Sequence, residues 1–224
     1  FLPNGKPLQV QGFLGAFEKA ARRNAAHLSA LAQYGVPLVG LDPAMTLVYR
    51  QEYAKLMGAD APTVMLPQEW LLKAASSSAA SARSSAADAE STQSAATVPE
   101  ASANEPQASR APKAYRLLAH CTEKTNYPSA VTQWQSVFEQ HGLTLSVTAS
   151  GCCGMSGTYG HETRNVDTSK VIFSQSWGPI VAADTNEATL VADGYSCRSQ
   201  VDRLAGKHLP HPLQVLLRHL ESGA

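Results

Sequence analysis

The chain has 224 residues and 44% hydrophobic content, enough for one large α/β domain or two small ones around a buried core. Eighteen basic residues balance eighteen acidic ones at a pI near 7.2, so no net field draws nucleic acid or an anionic membrane, and small molecules or proteins are the expected partners. No apolar run approaches the roughly 18 residues of a membrane span, and Phe1-Leu2-Pro3-Asn4-Gly5-Lys6 lacks the basic start and apolar middle of a signal peptide. The expectation is a cytoplasmic protein without a membrane span, peripheral attachment at the inner face of the membrane remaining compatible with it. The start at Phe1, without an initiating Met, reads as a piece of a longer polypeptide.

In chain order, residues 12–34 carry Phe13, Leu14, Phe17, Ala20, Ala21, Ala25, Leu28, Leu31 and Ala32 near a 3.6-residue period, which predicts an amphipathic helix closed by Gly35. Val36 to Leu41 is largely apolar between turn formers and predicts a short buried strand. Asp42-Pro43 is an N-cap and first-turn pair for a helix reaching about Leu56. Val64-Met65-Leu66 reads as another strand, and Pro67 opens a helix through Leu72. From Lys73 to Lys113 the composition turns to Ala, Ser, Pro and Glu without an aromatic residue, which predicts a disordered insertion or linker.

Beyond it, Tyr115 to His120 predicts a strand ending at Cys121, and Ala130 to His141 a helix with Val131, Trp134, Val137 and Phe138 on one face. Leu143 to Thr148 alternates as a strand leading to Cys152-Cys153. Asn165 to Ala183 reads as one helix, Thr189 to Ala192 as a strand, and Ser196 to Leu204 and Pro212 to Leu220 as helices. Alternating strands and helices predict an α/β fold with a mainly parallel sheet and right-handed crossover helices. An internal echo adds a duplication. Laying Leu38-Val39 on Leu190-Val191 puts Met45 on Cys197, and Leu66-Pro67 before Trp70 resembles Leu209-Pro210 before Val215. On this reading residues 1–72 are the C-terminal part of a first repeat, 73–113 a linker, and 114–224 a second repeat that carries the cysteines.

All four cysteines, Cys121, Cys152, Cys153 and Cys197, fall in the last 104 residues and beside strand ends. In an open parallel sheet the segments beyond the carboxyl ends of the strands meet in one crevice, where ligands bind. Two adjacent cysteines among four make a poor disulfide framework, so metal or redox chemistry in a reducing compartment fits better. Thiolates are soft donors for iron–sulfur clusters or zinc, and helix N-termini aimed at the crevice would stabilise their charge. Gly151 and Gly154 allow backbone close to bulky sulfide or metal. His120 and His161 are candidate further ligands, with hydrogen bonding to a bound carboxylate or a structural role as the alternatives. Arg198 could bind an acidic substrate, steady cluster charge or face solvent. For the cysteines the competing reading is small buried hydrophobes.

His120-Cys121-Thr122-Glu123-Lys124-Thr125-Asn126, Gly151-Cys152-Cys153-Gly154-Met155-Ser156-Gly157-Thr158-Tyr159-Gly160-His161-Glu162 and Gly194-Tyr195-Ser196-Cys197-Arg198-Ser199-Gln200 resemble the cysteine-rich CCG domain. This domain occurs in heterodisulfide reductase, in the iron–sulfur component of anaerobic glycerol-3-phosphate dehydrogenase, and at the C-terminus of FAD-linked D-2-hydroxyacid dehydrogenases acting on D-lactate or D-2-hydroxyglutarate. The last group is the nearest resemblance. It implies an electron path in which FAD on an upstream domain takes hydride from the hydroxyacid and iron–sulfur centres, of the 4Fe-4S type, pass electrons to a quinone or carrier protein. Carried over by position, Cys121, Cys152, Cys153 and Cys197 are the ligand candidates, with His120 or His161 able to complete the set.

The sequence departs from that pattern in two places: Gln200 stands where a second cysteine of a C-x-x-C would be, and Met45 stands where the first repeat would carry one. A metal-free or zinc-bound structural domain completing the flavin domain's active site is therefore the alternative. A thiol–disulfide enzyme using Cys152 and Cys153 is disfavoured because a vicinal disulfide is strained. The flavin domain is absent from these residues, so the chain alone is not expected to turn over substrate.

Overall fold

A computed structural model describes residues 2–77, 114–184 and 190–223. The Ala/Ser-rich insertion lies outside the described residues from 78 to 113.

The first part is helical. A short helix, α1 (Lys6–Val10), precedes α2 (Leu14–Ala32), which buries Phe17, Ala21, Asn24 and Ala25. Phe13, Leu14 and Leu31, placed by periodicity on the apolar face, are exposed. The Asp42 carboxylate caps α3 (Pro43–Val48) by accepting the Met45 N–H, and the helix runs on through a π-helical turn, Tyr49–Tyr53, into α4 (Ala54–Met57). Tyr53 is fully buried against Phe17 and Tyr49. The two expected strands of this half reduce to one parallel bridge, Val39 to Met65, closed by Gly40 N–H to Met65 O and Met65 N–H to Leu38 O. Nor is the first of them a buried strand, since Val36 and Leu41 are both more than half exposed. Helix α5 spans residues 67–77 and so continues five residues into the segment assigned to the linker.

The second part is a three-stranded parallel sheet in the order β2-β1-β3, with β1 (Ala114–Leu118) between β2 (Thr144–Val147) and β3 (Leu190–Ala192). Parallel strands need crossovers, and the chain supplies them. Helices α6 (Cys121–Asn126) and α7 (Pro128–Gln140) join β1 to β2, and α8 (Val166–Gln175) and α9 (Trp177–Ala183) lie between β2 and β3. After β3 come α10 (Tyr195–Ala205) and α11 (Pro212–Glu221). Side chains alternate across the sheet. Tyr115, Leu117 and Val191 pack with Trp134, Val137 and Phe138 of α7 and Val215 and Leu216 of α11. Leu118, Leu190 and Ala192 face the other way, onto Phe173, Trp177, Val181, Cys197 and Val201. The described residues thus form an α/β fold with helices on both faces of a small parallel sheet.

The single helix expected from Asn165 to Ala183 is two. Pro179 cannot donate to the carbonyl of Gln175 and its ring would collide with it, so the helix ends at Gln175 and restarts at Trp177. The interruption at Ser176 has a use at the site below. The two parts of the chain pack together: Arg50 pairs with Glu69 and lies 5.3 Å from the Tyr127 ring centre, and Leu47 and Leu66 pack on Ala130. Among the described residues no helix is long and apolar enough to cross a membrane.

Candidate functional site

Strand β1 ends level with β3, Leu118 opposite Ala192. From that edge the chain leaves β1 for α7 on one face and leaves β3 for α10 on the other. Such a divergence opens the crevice in which α/β proteins bind ligands. His120 and Cys121 leave from one strand, Asp193, Gly194 and Cys197 from the other. Cys121 is therefore the first residue of a helix, α6, that the sequence did not announce, and Cys197 sits in the first turn of α10.

Cys152 and Cys153 are carried by a loop with no regular structure of its own, held by contacts from three directions. The Gly151 N–H donates to Ser176 Oγ (2.7 Å) and the Trp177 indole donates to Gly151 O (3.2 Å), so the break between α8 and α9 grips the loop. Lys124 of α6 donates through Nζ to the Ser150 carbonyl and hydroxyl. Ser169 donates to Gly154 O (2.8 Å), and Gln200 donates to Ser169 Oγ (2.7 Å). Gly154 has no room for a side chain: its φ is +87°, and a Cβ would lie 2.4 Å from the Ser169 carbonyl oxygen.

These restraints bring the four cysteines together as a chain of contacts. Cys121 meets Cys152, Cys152 meets Cys153, and Cys153 meets Cys197. All four are free thiols; Cys153 and Cys197 are buried, Cys121 and Cys152 half-buried. Hydrogen bonds from Cys121 and then Cys153 hold Cys152 far below the usual thiol range, with further help from the Gly154 N–H (3.3 Å) and His120. The same contacts, together with burial, push Cys121 and Cys153 up. The set therefore favours one thiolate, at Cys152, solvated by its neighbours.

His120 lies beside this row. A Cβ on Gly194 would stand 2.5 Å from the His120 ring and 3.2 Å from Cys197 Sγ. Its Nδ1 accepts the Thr122 N–H (3.2 Å) as the cap of α6, which leaves the ring proton on Nε2. His161 is exposed at the end of a 3-10 turn, Tyr159–His161. Gln200 is fully buried and braces Ser169 and, through it, Gly154. Sequence reasoning passed over Lys124, Ser169, Ser176 and the buried acids Glu123 and Asp193. Glu123 and Lys124 lie inside the motif beginning at His120, whereas the two serines carry no local signal.

Among the described residues no three histidine, cysteine or carboxylate side chains are gathered for a single metal ion. The donor set itself, four thiols of which one is readily ionised, suits soft metals such as iron in sulfide clusters. The thiols that touch one another would have to part around any such group.

A curated relative from Pseudomonas putida, D-2-hydroxyglutarate dehydrogenase, is 52% identical over 219 residues, covering 97% of this chain and 19% of the relative. The likeness to D-2-hydroxyglutarate dehydrogenases runs through nearly the whole chain. The Escherichia coli K12 dehydrogenase of the same name is 37% identical over the same span. The chain thus spans about a fifth of the length of these dehydrogenases. A more distant likeness, 23% over 224 residues, links it to one component polypeptide of the anaerobic glycerol-3-phosphate dehydrogenase of Escherichia coli K12, of which it covers 49%. No family model matches the chain. No solved structure matches it.

Proposed function

We propose that this chain is the electron-transfer portion of a flavin-dependent D-2-hydroxyacid dehydrogenase, with Cys121, Cys152, Cys153 and Cys197 as ligands of an iron–sulfur cluster of the 4Fe-4S type. The observation that carries the reading is the convergence of all four cysteines at the diverging ends of β1 and β3 in a chain similar throughout to D-2-hydroxyglutarate dehydrogenases. FAD belongs on residues outside this chain, and the acceptor is a quinone or carrier protein. When bound, the cluster relays single electrons between them. The chain's own residues fix the loop, keep Cys152 ionised and bury Cys153 and Cys197 away from water. His120 is better suited to cap α6 and shield Cys197 than to bind metal. Free thiols throughout agree with a reducing, cytoplasmic setting.

The duplicated organisation, with halves at 1–72 and 114–224 around a 73–113 linker, belongs to the same proposal. Support comes from matching helix starts. Met45 and Cys197 each occupy the third position of a helix that follows a parallel-strand segment. In a second match, offset by two residues from the Leu209-Pro210 echo, Glu69 accepts the Leu66 N–H before Pro67 as Gln214 accepts the His211 N–H before Pro212.

The test is anaerobic purification of the intact natural protein with iron and sulfide analysis and EPR. Iron and sulfide lost together in Cys152→Ser and Cys197→Ser support the reading. Iron-free protein that takes up no cluster on reconstitution overturns it, and zinc in its place would establish the structural alternative.

A further inference from the structure

A cavity of about 730 Å³ opens beside α10, walled by Asp42, by Tyr195, Arg198 and Ser199 of α10, and by His211 at the start of α11. It has no part in the proposed electron path, and its polar groups are unevenly spent.

The acids in its wall are already engaged. Asp42 accepts the Met45 N–H with one oxygen (3.1 Å) and the Tyr195 N–H with the other (2.8 Å), which places it between the N-termini of α3 and α10. Asp193 accepts the His120 N–H (2.8 Å) and lies within reach of the Glu123 carboxyl, and Asp202 pairs with His208 (3.1 Å).

The donors are left over. Arg198 spends one Nη1 hydrogen on the Ala192 carbonyl (3.2 Å), and among the described residues no carboxylate lies within ion-pair distance of it. His211 is 7% exposed; its Nδ1 accepts the Leu213 N–H (3.1 Å), so its proton sits on Nε2, and that buried N–H meets only the Leu41 carbonyl, outside good hydrogen-bond geometry. Burial, and then the charge of Arg198, push the imidazole down to about 4, so it stays a neutral donor near the guanidinium. A buried orphan donor is costly unless something accepts from it.

We propose that this cavity binds a small organic carboxylate, its two oxygens received by the free edge of Arg198 and by His211 Nε2–H, and its carbon skeleton resting on the α10 side. The preference for a carboxylate follows from charge. One guanidinium offsets one negative charge, and phosphate, carrying up to two, would meet the neighbouring Asp42, Asp193 and Asp202 carboxylates. Arginine's planar fork matches a carboxylate where lysine would not. This inference goes beyond the proposed cluster and does not depend on it.

Hydrogen–deuterium exchange on the intact natural protein tests it, because peptide-level protection separates this cavity from any flavin site in the same polypeptide. Acetate and propionate, each carrying one negative charge, titrated to about 10 mM should slow exchange in peptides covering residues 193–202 and 208–216. Arg198→Ala should weaken that protection at least about tenfold, and Arg198→Lys, which keeps the charge without the fork, should weaken it to a smaller extent. Unchanged exchange elsewhere in each variant shows that it is folded; should the alanine variant fail that check, the lysine variant carries the test. The proposal is overturned by no ligand-dependent protection at these peptides, by protection that survives in the folded variants, or by equal protection from phosphate and chloride, which would mean an adventitious ion only.

Discussion

Asp193 accepts the backbone N–H of His120 at 2.8 Å and lies within reach of the carboxyl of Glu123, both acids being buried to within 1% of full enclosure. Gln68 closes the arrangement by donating to Glu123 Oε1 (2.6 Å) and to the Ala130 carbonyl (3.0 Å). The group thereby fastens the start of α5 to α6 and to the end of β3. Two ionised carboxylates could not occupy this position, and Glu123 is pushed up to about 10, first by burial and then by Asp193.

The first prediction concerns stability against pH. Native Glu123 keeps its proton up to about pH 10, whereas in the unfolded chain it ionises near 4.5. Between those values the native state binds more protons, so its contribution is full below 4.5 and is lost as pH rises towards 10, by at most ~1.4 kcal/mol per unit. Glu123→Gln preserves the donor to Asp193 and the acceptor for Gln68 but does not titrate. Urea unfolding at pH 5, 7 and 9 should show the variant gaining on the wild type at each step. A constant difference would show that Glu123 does not hold the proton.

His211 should act in the opposite sense. Its folded value is pushed down to about 4 by burial and the charge of Arg198, below the usual 6.5. The stability it supports is present above 6.5 and is lost as pH falls through 4. His211→Asn keeps an acceptor for the Leu213 N–H but has nothing to protonate. The stability gap between wild type and variant, measured by urea unfolding at pH 7, 5.5 and 4.5, should move in favour of the variant on acidification.

The two loop glycines should separate sharply. Alanine at Gly154 must adopt a φ of +87° and place its Cβ 2.4 Å from the Ser169 carbonyl oxygen, a backbone atom that cannot swing aside. Alanine at Gly157, φ +67°, meets nothing within 4 Å. Gly154→Ala should cost at least ~3 kcal/mol and Gly157→Ala about 1 kcal/mol, read from denaturant midpoints. Equal costs would mean that the loop relaxes freely and that Ser169 and Gln200 do not brace it.

The fold and the site differ in how much of each the sequence discloses, and the difference is one of range. Helices α7, α10 and α11 repeat their apolar residues along one face, and strand β2 alternates in sequence, so local periodicity suffices for them. Helix α6 is hidden because its six residues show little period of their own, and the break at Ser176 depends on Pro179 three residues later. The four cysteines stand out by spacing. Their supports do not: Ser176 reaches Gly151 across 25 residues, and Lys124 reaches Ser150 across 26. Gln200 shows the limit best, since in sequence it is only an absent cysteine and in the structure it is a fully buried brace.

The last prediction concerns the thiols in metal-free protein. Cys152 is half-buried and held ionised by hydrogen bonds from Cys121 and Cys153, while Cys153 is buried, pushed up and packed among Met155, Phe173 and Trp177. Iodoacetamide under anaerobic conditions should therefore label Cys152 first and Cys153 and Cys197 slowly, as resolved by peptide mass spectrometry. An ordinary thiol would react faster by on the order of a hundredfold between pH 6 and 8, because its ionised fraction rises by nearly that much. Labelling of Cys152 should change severalfold at most over this interval. Cys121→Ser tests the cause: serine still donates a hydrogen bond and should preserve the pH-insensitive rate, whereas Cys121→Ala removes the leading donor and should restore a pH dependence. A hundredfold rise in the wild type, or no difference between the serine and alanine variants, would refute the assignment of the thiolate to Cys152.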